Sequence, residues 1–375
     1  MNRVEIKEVL SKKDTKAFVK FPFTLYKKSK YWVPPIISEE IKVFDKKTNP
    51  VFKDAEARLF LAYRNSKIVG RVAAIINRLE VDGQGVKKMR FGWFDVIDDI
   101  SVTEALLDKV YEIGKENQLE YIEGPVGFSN FDKVGVLTYG FDHIGTMITW
   151  YNHPYYASHF KQLGFKVEKE YLEHKHQFKD IILANFSRVQ EVIKKRYGLK
   201  ALYFSKTKEV MPYADKMFDL FNKTYSVLSS FVEINTVQQE YFKKKFLGFM
   251  NPEYIKFVVD ENDELVAFGI AMPSYAEALQ KMKGKLFPFG IKHLLHAKKH
   301  SNKITLYLIG VHPKYQNKGV HAIVFNEFYK TFDKKKIVEL VRTPELADNL
   351  AIHQLWKNFK PITYKRRCTF RKEIQ

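Results

Sequence analysis

Cysteine is nearly absent from this sequence, since Cys368 is the only cysteine among 375 residues. This scarcity excludes a disulfide framework and a cysteine-rich metal site, and it fits a reducing cytoplasm. Long apolar runs are missing too, because no uninterrupted stretch approaches the roughly 18 residues typical of a membrane-spanning helix. The first residues include the charged Arg3, Glu5 and Lys7 without an apolar segment, so we expect no secretory signal. We therefore expect a cytoplasmic protein, soluble or peripheral at the inner face of the membrane.

Apolar side chains are plentiful, with 45% hydrophobic and 15% aromatic residues. This supply is ample for a packed core, and no stretch has the composition of long disorder. The length of 375 residues exceeds the usual size of one domain. The composition therefore predicts two globular domains.

The stretch 304–332 has the pattern of a strand, a glycine-containing loop and a helix. An apolar strand candidate runs over 304–309, and aromatic residues from Phe325 to Phe332 follow at helical spacing. Between them, Gly319 lets the backbone approach a ligand closely, and Lys318 adds a positive charge. The free N–H groups of the first helical turn and the helix dipole point at one spot. The pattern predicts a pyrophosphate site.

This loop resembles the acyl-CoA-binding signature Q/R-x-x-G-x-G/A of the GCN5-related N-acetyltransferases (GNAT). Gln316 and Gly319 match its first two fixed positions, whereas His321 stands where a second Gly or Ala is expected. Downstream, 349–359 resembles the family's next helix, N-x-x-A-x-x-L-Y-x-x-x-G-F, after a strand candidate over 337–341. An ordinary strand–turn–helix with a chance match is the alternative.

The resemblance implies an acyl-CoA co-substrate, with acetyl or long-chain acyl groups, and no metal. The residues it assigns to binding this donor are Ile309, Val311, Gln316, Asn317, Lys318, Gly319, Val320, His321 and Asn349. An N-cap role explains Asn349 equally well.

The order of elements predicts two GNAT-like domains in tandem, an α/β (α+β) fold in which each domain has a mixed central sheet flanked by helices. We assign residues 1–180 to an N-terminal domain, 181–202 to a linker and 203–375 to a C-terminal domain that carries the loop. In the first half, Ser101 and Glu104 suggest a capping box at a helix start. Asp98 and Asp99 precede it where a glycine cradle should be, and two carboxylates repel phosphate. We infer that the first half shapes the acceptor pocket instead.

Several stretches of residues 20–180 resemble the bacterial ceramide synthase family, a two-domain GNAT-related group that acts on sphingoid bases. In chain order they are Leu25-Tyr26, Trp32–Pro35, Gly70–Ala73, Phe91–Phe94, Gly124-Pro125, Asn130, Gly135–Leu137, Gly140-Phe141 and Tyr151–Tyr156. The resemblance implies amide formation between a long-chain acyl thioester and a lipid amine.

Amide formation needs a group that accepts a proton from the attacking amine. Carboxylate candidates are Asp95, Glu339 and Glu345, each of which has an ion-paired surface role as its alternative. His321 is a further candidate, either as a base or as a thioester contact; a capping role is the alternative.

The acid that protonates the leaving thiolate in GNAT enzymes is a Tyr of the last helix, and Trp356 takes that place here. Tyr155, or its neighbours Tyr151 and Tyr156, could substitute from the other half. A packing role for this tyrosine-rich loop is the alternative.

The formal net charge is +20, spread over the chain in short clusters of lysine. Net charge indicates partners rather than fold. An acidic acyl carrier protein, an anionic membrane and nucleic acid are candidates. No zinc-finger spacing, helix-turn-helix pattern or RNA-binding aromatic motif occurs, so nucleic acid ranks last.

One basic segment, Lys281 to His300, carries Phe287, Phe289 and Leu295 among its lysines. This composition is typical of an interfacial helix at an anionic bilayer, and a surface helix packed on its own domain is the alternative.

Two other functions stay open. One is a short-chain N-acetyltransferase acting on a small amine or a protein. The other is a module that senses acyl thioesters or binds membranes after losing the chemistry.

Overall fold

A computed structural model describes residues 3–129, 131–181, 184–228, 231–246, 250–356 and 359–374. Asn130, Lys357 and Asn358, which contribute to the sequence resemblances, lie outside the described residues.

Helices and strands alternate along both halves of the chain. The helices are α1 (Lys12–Leu25), α2 (Ile37–Val43), α3 (Ile100–Glu116), α4 (Tyr155–Gln162), α5 (Ala184–Tyr197), α6 (Thr207–Tyr225), α7 (Thr236–Phe246), α8 (Ala276–Met282), α9 (Gly290–His300), α10 (His321–Lys334) and α11 (Leu350–Trp356). The strands are β1 (Glu5–Glu8), β2 (Ala55–Arg64), β3 (Lys67–Asn77), β4 (Lys88–Val96), β5 (Tyr121–Gly124), β6 (Val136–Tyr139), β7 (Lys166–Gln177), β8 (Lys200–Leu202), β9 (Ile255–Val259), β10 (Leu265–Pro273), β11 (Lys303–Val311), β12 (Glu339–Arg342), β13 (Glu345–Leu346) and β14 (Ile362–Glu373). None of the helices in the described part of the chain is long and apolar enough to cross a bilayer.

One mixed sheet runs through both halves in the order β1-β2-β3-β4-β5-β14-β7-β12-β11-β10-β9-β8. Helices pack against it, so the predicted mixed α/β architecture is confirmed. The strand pairing cuts across the division predicted from the sequence. The last strand of the chain, β14, lies between β5 and β7 of the first half, and β7 pairs with β12 of the second half. The boundaries at 180 and 203 stay a prediction.

The start of α3 differs from the capping box predicted at Ser101. Asp99 is the N-cap residue, and its carboxylate accepts a hydrogen bond of 3.0 Å from the backbone N–H of Ser101. The N-cap lies two residues earlier than predicted because the Asp99 carboxylate reaches a free N–H group of the first turn.

The second half has its own core between the sheet and helices α5 and α10. Phe325, Phe328 and Phe332 are all buried in it, so the aromatic face predicted for α10 is confirmed. Burying one such side chain contributes about 1.5–3 kcal/mol. This packing fixes the position of the α10 N-terminus relative to β11.

A bulge opens the sheet in the second half. β11 pairs in parallel with β12 only from Lys303 to Leu306, and its register with β10 shifts around Tyr307. β11 continues to Val311 with β10 on one side only, so a cleft forms on the other side. The first half has the same arrangement, because β4 pairs with β5 only as far as Arg90 and has a register shift with β3 before Asp95.

We predict that Phe370→Ala in β14 destabilises the first half. Phe370 is fully buried in the core that includes α3 and stacks on Phe160 at 5.0 Å, although it lies near the end of the chain. The expected loss in free energy of unfolding is about 3–5 kcal/mol, measured by chemical denaturation. Ile362→Ala on the same strand is the control, because Ile362 is 51% exposed. A similar stability for both variants would contradict the observed strand order.

Candidate active site

A cavity of about 700 Å³ lies between the two halves at the end of β11. Its second-half wall contains the strand residues Leu306 to Val311, the loop after them and the segment from Arg342 to Leu346. Its first-half wall includes Arg90, Glu123 and Phe131. Both halves therefore contact whatever fills this space.

The N-terminus of α10 is open toward a ligand. Its N-cap residue, Val320, provides no side-chain hydrogen bond. Gly319 has φ +77°, a left-handed conformation that glycine adopts without strain, and Asn317 has φ +61°. A Cβ built on Gly319 would meet only Ile193, at 3.4 Å. Ala322 and Ile323 already donate their backbone N–H groups to the carbonyl oxygens of Gly319 and Val320, so the N–H groups of Val320 and His321 are the ones that can receive an anion such as a pyrophosphate.

The loop before α10 is held by its own side chains. Gln316 donates from Nε2 to the carbonyl oxygen of Val311 at 3.1 Å, which closes the loop onto the strand end. Lys318 Nζ lies 5.4 Å from the ring of Tyr197 and 5.6 Å from the ring of Tyr315. These cation–π contacts keep a positive charge beside the anion position.

The structure brings most of the predicted donor-binding residues to the cavity wall. The wall includes Ile309, Val311, Gln316, Asn317, His321 and Asn349. Lys318, Gly319 and Val320 lie beside it, in the loop and at the helix start. Asn349 also caps α11, because its Oδ1 accepts a hydrogen bond of 3.2 Å from the N–H of Ile352.

Glu345 is the carboxylate of the second-half wall. Its Oε2 lies 3.3 Å from Arg342 Nη2, and both side chains are buried, with 12% and 2% exposure. Oε2 accepts no hydrogen bond from the described residues. Burial raises the pKa of Glu345 to about 7, against the opposing charge of Arg342. A carboxyl group that titrates near neutral pH inside a cavity is suited to accept a proton.

Two histidines stand next to Glu345. One ligand atom from each of His174, Glu345 and His353 lies within 4.8 Å of the others. His353 Nδ1 is 3.9 Å from Glu345 Oε2, while its Nε2 contacts the carbonyl oxygen of Leu346 at 3.1 Å. His174 Nε2 is buried without a hydrogen-bond partner in the described residues, and its Nδ1 contacts Thr363 Oγ1.

Such a set of side chains could ligate a divalent metal ion. The guanidinium of Arg342 argues against this, since it already contacts the carboxylate and its charge opposes a second cation. Burial, with smaller effects from Arg342 and His353, lowers the pKa of His174 to about 3, so this imidazole is neutral. An imidazole with so low a pKa does not accept a proton near neutral pH, so Glu345 is the group of this cluster that is suited to do so.

His321 occupies the first position of α10 and lines the cavity. Burial lowers its pKa below the usual 6.5, so its imidazole is neutral at physiological pH. It can contact a ligand at the strand end as a donor or an acceptor.

Asp95 and Tyr155 are not brought to this cavity. Asp95 is buried in an ion pair of 2.7 Å with Arg71 and accepts a hydrogen bond of 2.7 Å from the hydroxyl of Tyr26. Tyr155 donates its hydroxyl to the carbonyl oxygen of Val96 at 2.6 Å. Both residues belong to the first half's own cleft, at the end of β4.

That first-half cleft is closed by the protein itself. Tyr156, like Tyr155, places its hydroxyl on the backbone of Val96, where it accepts from the N–H at 3.0 Å. The N–H of Val126 donates to the carbonyl oxygen of Phe91 at 2.8 Å, so the chain after β5 covers the opened side of β4. In the second half, by contrast, side chains and not the main chain donate to the strand end, Tyr225 to Ile309 and Gln316 to Val311, and a cavity remains beside it.

The helix N-terminus of the first half is also occupied. Hydrogen bonds from Arg64 and Ser101 lower the pKa of Asp99 to about 2, which keeps its carboxylate charged at the start of α3. Arg64 Nη1 pairs with it at 2.6 Å. The Asp99 carboxylate therefore occupies the start of α3, whereas the corresponding position at the start of α10 is open.

Tyr225 is a cavity residue that the sequence analysis missed. It ends α6 and donates its hydroxyl to the carbonyl oxygen of Ile309 at 3.1 Å. Burial raises its pKa, so the hydroxyl keeps its proton. Helical spacing from Phe218 and Phe221 indicates a packed residue at this position, but nothing local indicates that the hydroxyl reaches β11.

The fold has a counterpart among known structures. A tandem GNAT protein from the clavulanic acid biosynthesis pathway superposes with a TM-score of 0.60, covering 100% of this chain and 99% of that one at 9% sequence identity. The chain has the tandem GNAT fold.

Two curated proteins resemble this tandem GNAT chain in sequence. Protein YghO of Escherichia coli is 26% identical over 376 residues, covering 98% of this chain and 95% of that protein. A bacterial ceramide synthase of Caulobacter vibrioides is 25% identical over 307 residues, covering 81% and 79%. No family model matches the sequence.

Proposed function

We propose that the protein is an N-acyltransferase that moves an acyl group from a pantetheine thioester to a long-chain lipid amine such as a sphingoid base. One observation carries this proposal: an uncapped helix N-terminus and a buried carboxylate that titrates near neutrality face one cavity at the end of a split strand. The first feature fits a diphosphate, and the second fits a base for an amine.

The donor is an acyl-CoA or an acyl carrier protein, which share the phosphopantetheine arm. Backbone N–H groups after Gly319 hold its phosphate, and Lys318 balances the charge. The arm follows the open side of β11 past Ile309 and Val311, where an extended chain can pair with the strand once it displaces Tyr225 and Gln316 from the carbonyl oxygens of these two residues. The net charge of +20 favours an acidic carrier protein as well as the free coenzyme.

Three groups at or beside the cavity handle the protons. Glu345 accepts a proton from the attacking amine, and His353 is placed to take it on and release it to solvent. The new C–N bond forms as the C–S bond breaks, Tyr225 gives its proton to the leaving thiolate, and the resulting phenolate regains a proton from solvent. Holding both reactants in one enclosed space provides much of the remaining acceleration.

The lipid amine is supported by the similarity to a protein named bacterial ceramide synthase. The test is incubation with palmitoyl-CoA and sphinganine, followed by mass detection of the amide. Formation of this amide supports the proposal. Turnover of acetyl-CoA with short amines only would favour a short-chain N-acetyltransferase instead. No product with any donor would favour a module that binds thioesters without chemistry.

We further propose that the protein acts at an anionic membrane surface through the segment between α8 and α9. Phe287 and Phe289 are 71% and 70% exposed in that segment, and Leu295 on α9 is 59% exposed. The exposed lysines around them are Lys281, Lys283, Lys285, Lys292 and Lys299. The sequence predicts one amphipathic helix here, whereas the structure has two helices with the aromatic pair in the connecting loop. Apolar side chains ringed by cations suit the headgroup region of an anionic bilayer.

Glu345→Gln should lower kcat/KM by about 100- to 10,000-fold, because it removes the general base. In the unchanged enzyme, activity requires the deprotonated carboxylate, so kcat/KM should rise with pH through the pKa of about 7. The variant should lose this rise. The matched control is Glu339→Gln on β12, since Glu339 is not among the residues that line the cavity. An unchanged pH profile in Glu345→Gln would refute its role as a base.

Gly319→Glu should abolish binding of the donor. A carboxylate at the start of α10 repels phosphate, and a side chain is strained at φ +77°. The measurement is the thermal shift with free CoA. Gly164→Glu is the control, because Gly164 has φ +81° with no heavy atom within 4 Å of a built Cβ, so backbone strain is matched. Equal CoA responses in both variants would count against the assigned loop.

The double variant Phe287→Ala/Phe289→Ala should bind vesicles that contain phosphatidylglycerol at least about tenfold more weakly, since two aromatic side chains leave the bilayer. Flotation is measured with these vesicles and with pure phosphatidylcholine vesicles. The comparison separates the contribution of lipid charge from that of the inserted aromatic side chains. Leu10→Ala is the control, because Leu10 is 84% exposed outside this segment. If vesicle binding changes neither with the double substitution nor with lipid charge, the proposed membrane-binding surface is wrong.

A further inference from the structure

A second, smaller cavity lies inside the core of the second half, with a volume of about 40 Å³. We call it the side chamber. Helices α6 and α7 form one wall, and strands β9, β10 and β11 form the other. Phe131, Tyr307 and Leu308 line both the side chamber and the main cavity, so these side chains stand between the two spaces.

The side chamber is apolar. Its walls include Ala214 and Met217 of α6, together with phenylalanine, valine and isoleucine side chains. Lys243 also lines it, but its Nζ pairs with Asp215 at 2.7 Å, and Asp215 is 64% exposed. The charged end of Lys243 therefore faces solvent, and its methylene stem faces the chamber.

A space of this kind does not favour water. A bound water needs several polar partners, whereas apolar cavities in proteins stay dry and accept apolar guests. The volume corresponds to about three water-sized spheres, which is room for two or three methylene groups. It is too small for a ring or a head group and suits the end of a chain.

Phe131 forms the partition from the side of the first half. Its ring stacks on Phe221 at 4.9 Å with an interplanar angle of 24°, and it lies 4.9 Å from Phe242. These contacts are with other aromatic rings. A small rotation of the Phe131 ring joins the two spaces and breaks no hydrogen bond of this side chain, because a phenylalanine side chain carries no polar atom.

We propose that the side chamber extends the main cavity and receives the end of an unbranched alkyl chain, so that α6 measures substrate chain length. The inference rests on the proposed acyl transfer. The alkyl chain belongs either to the acyl donor or to the amine acceptor, because both substrates end in the same hydrocarbon. Ala214 and Met217 of α6 set the limit on chain length, because both side chains lie on the wall of the side chamber.

The test compares chain-length profiles of the full-length enzyme in two arms. In the first arm, acyl-CoA donors from six to eighteen carbons compete for sphinganine. In the second arm, primary alkylamines from six to eighteen carbons compete for hexanoyl-CoA. Each methylene that loses its burial should cost about fourfold in kcat/KM.

Ala214→Leu adds three carbons, which fill the side chamber, and should lower kcat/KM for the longest chains by about tenfold or more, while short chains react as before. Met217→Ala enlarges the chamber and should shift the optimum toward longer chains, which keeps the proposal testable should Ala214→Leu fail to fold. Leu220→Ala is the matched control: Leu220 is as buried on the same helix and in the same core, but it does not line the chamber.

A changed profile in the first arm assigns the chamber to the acyl chain, and a change in the second arm assigns it to the amine. Profiles that match the unchanged enzyme in both arms, with amide still formed, would overturn the side-chamber proposal alone. Absence of amide from every pair of substrates, with the unchanged enzyme as well, would overturn the acyl transfer on which it rests.

Discussion

The early end of parallel pairing between β11 and β12 is the constraint on which the site depends. Pairing stops at Leu306 and Arg342, and the bulge at Tyr307 turns the rest of β11 away. The chain after β12 continues along β7 as β13, which carries Glu345 into the same opening. One split thus exposes a strand to the donor and buries a carboxylate, and the burial is what brings its pKa to about 7.

The first half shows how the same split is closed. β4 has its own register shift, but tyrosine hydroxyls take the backbone of Val96, and Val126 covers the open side. The charged Asp99 satisfies the start of α3. The two halves share a backbone design, and a few polar side chains decide which of them has room for a ligand. The two halves therefore resemble each other in fold and differ in function.

Local signals in the sequence were sufficient for some features and not for others. The open loop around Gly319 and the aromatic face of α10 follow from glycine conformation and helical spacing, which are properties of neighbouring residues. The location of β14 in the first half depends on pairing between residues more than 200 positions apart, such as Phe370 with Gly124. Asp95 and Glu345 look alike in the sequence, and each pairs with an arginine in the structure. Tyr26 also donates to Asp95, whereas Glu345 lines the cavity, and the sequence does not indicate this difference.

The two walls of the cavity are connected through β14, which pairs with β5 and β7 of the first half. β7 lies between β14 and β12, so the first-half wall and the donor strand belong to one hydrogen-bonded sheet. Acyl transfer by proximity requires the donor carbon and the amine to be held within a fraction of an ångström, and a hinge between the halves would lose this precision. In the proposed acyl transfer, β14, which has no residue among those that line the cavity, therefore helps to fix the distance between the two reactants by holding both walls in one sheet.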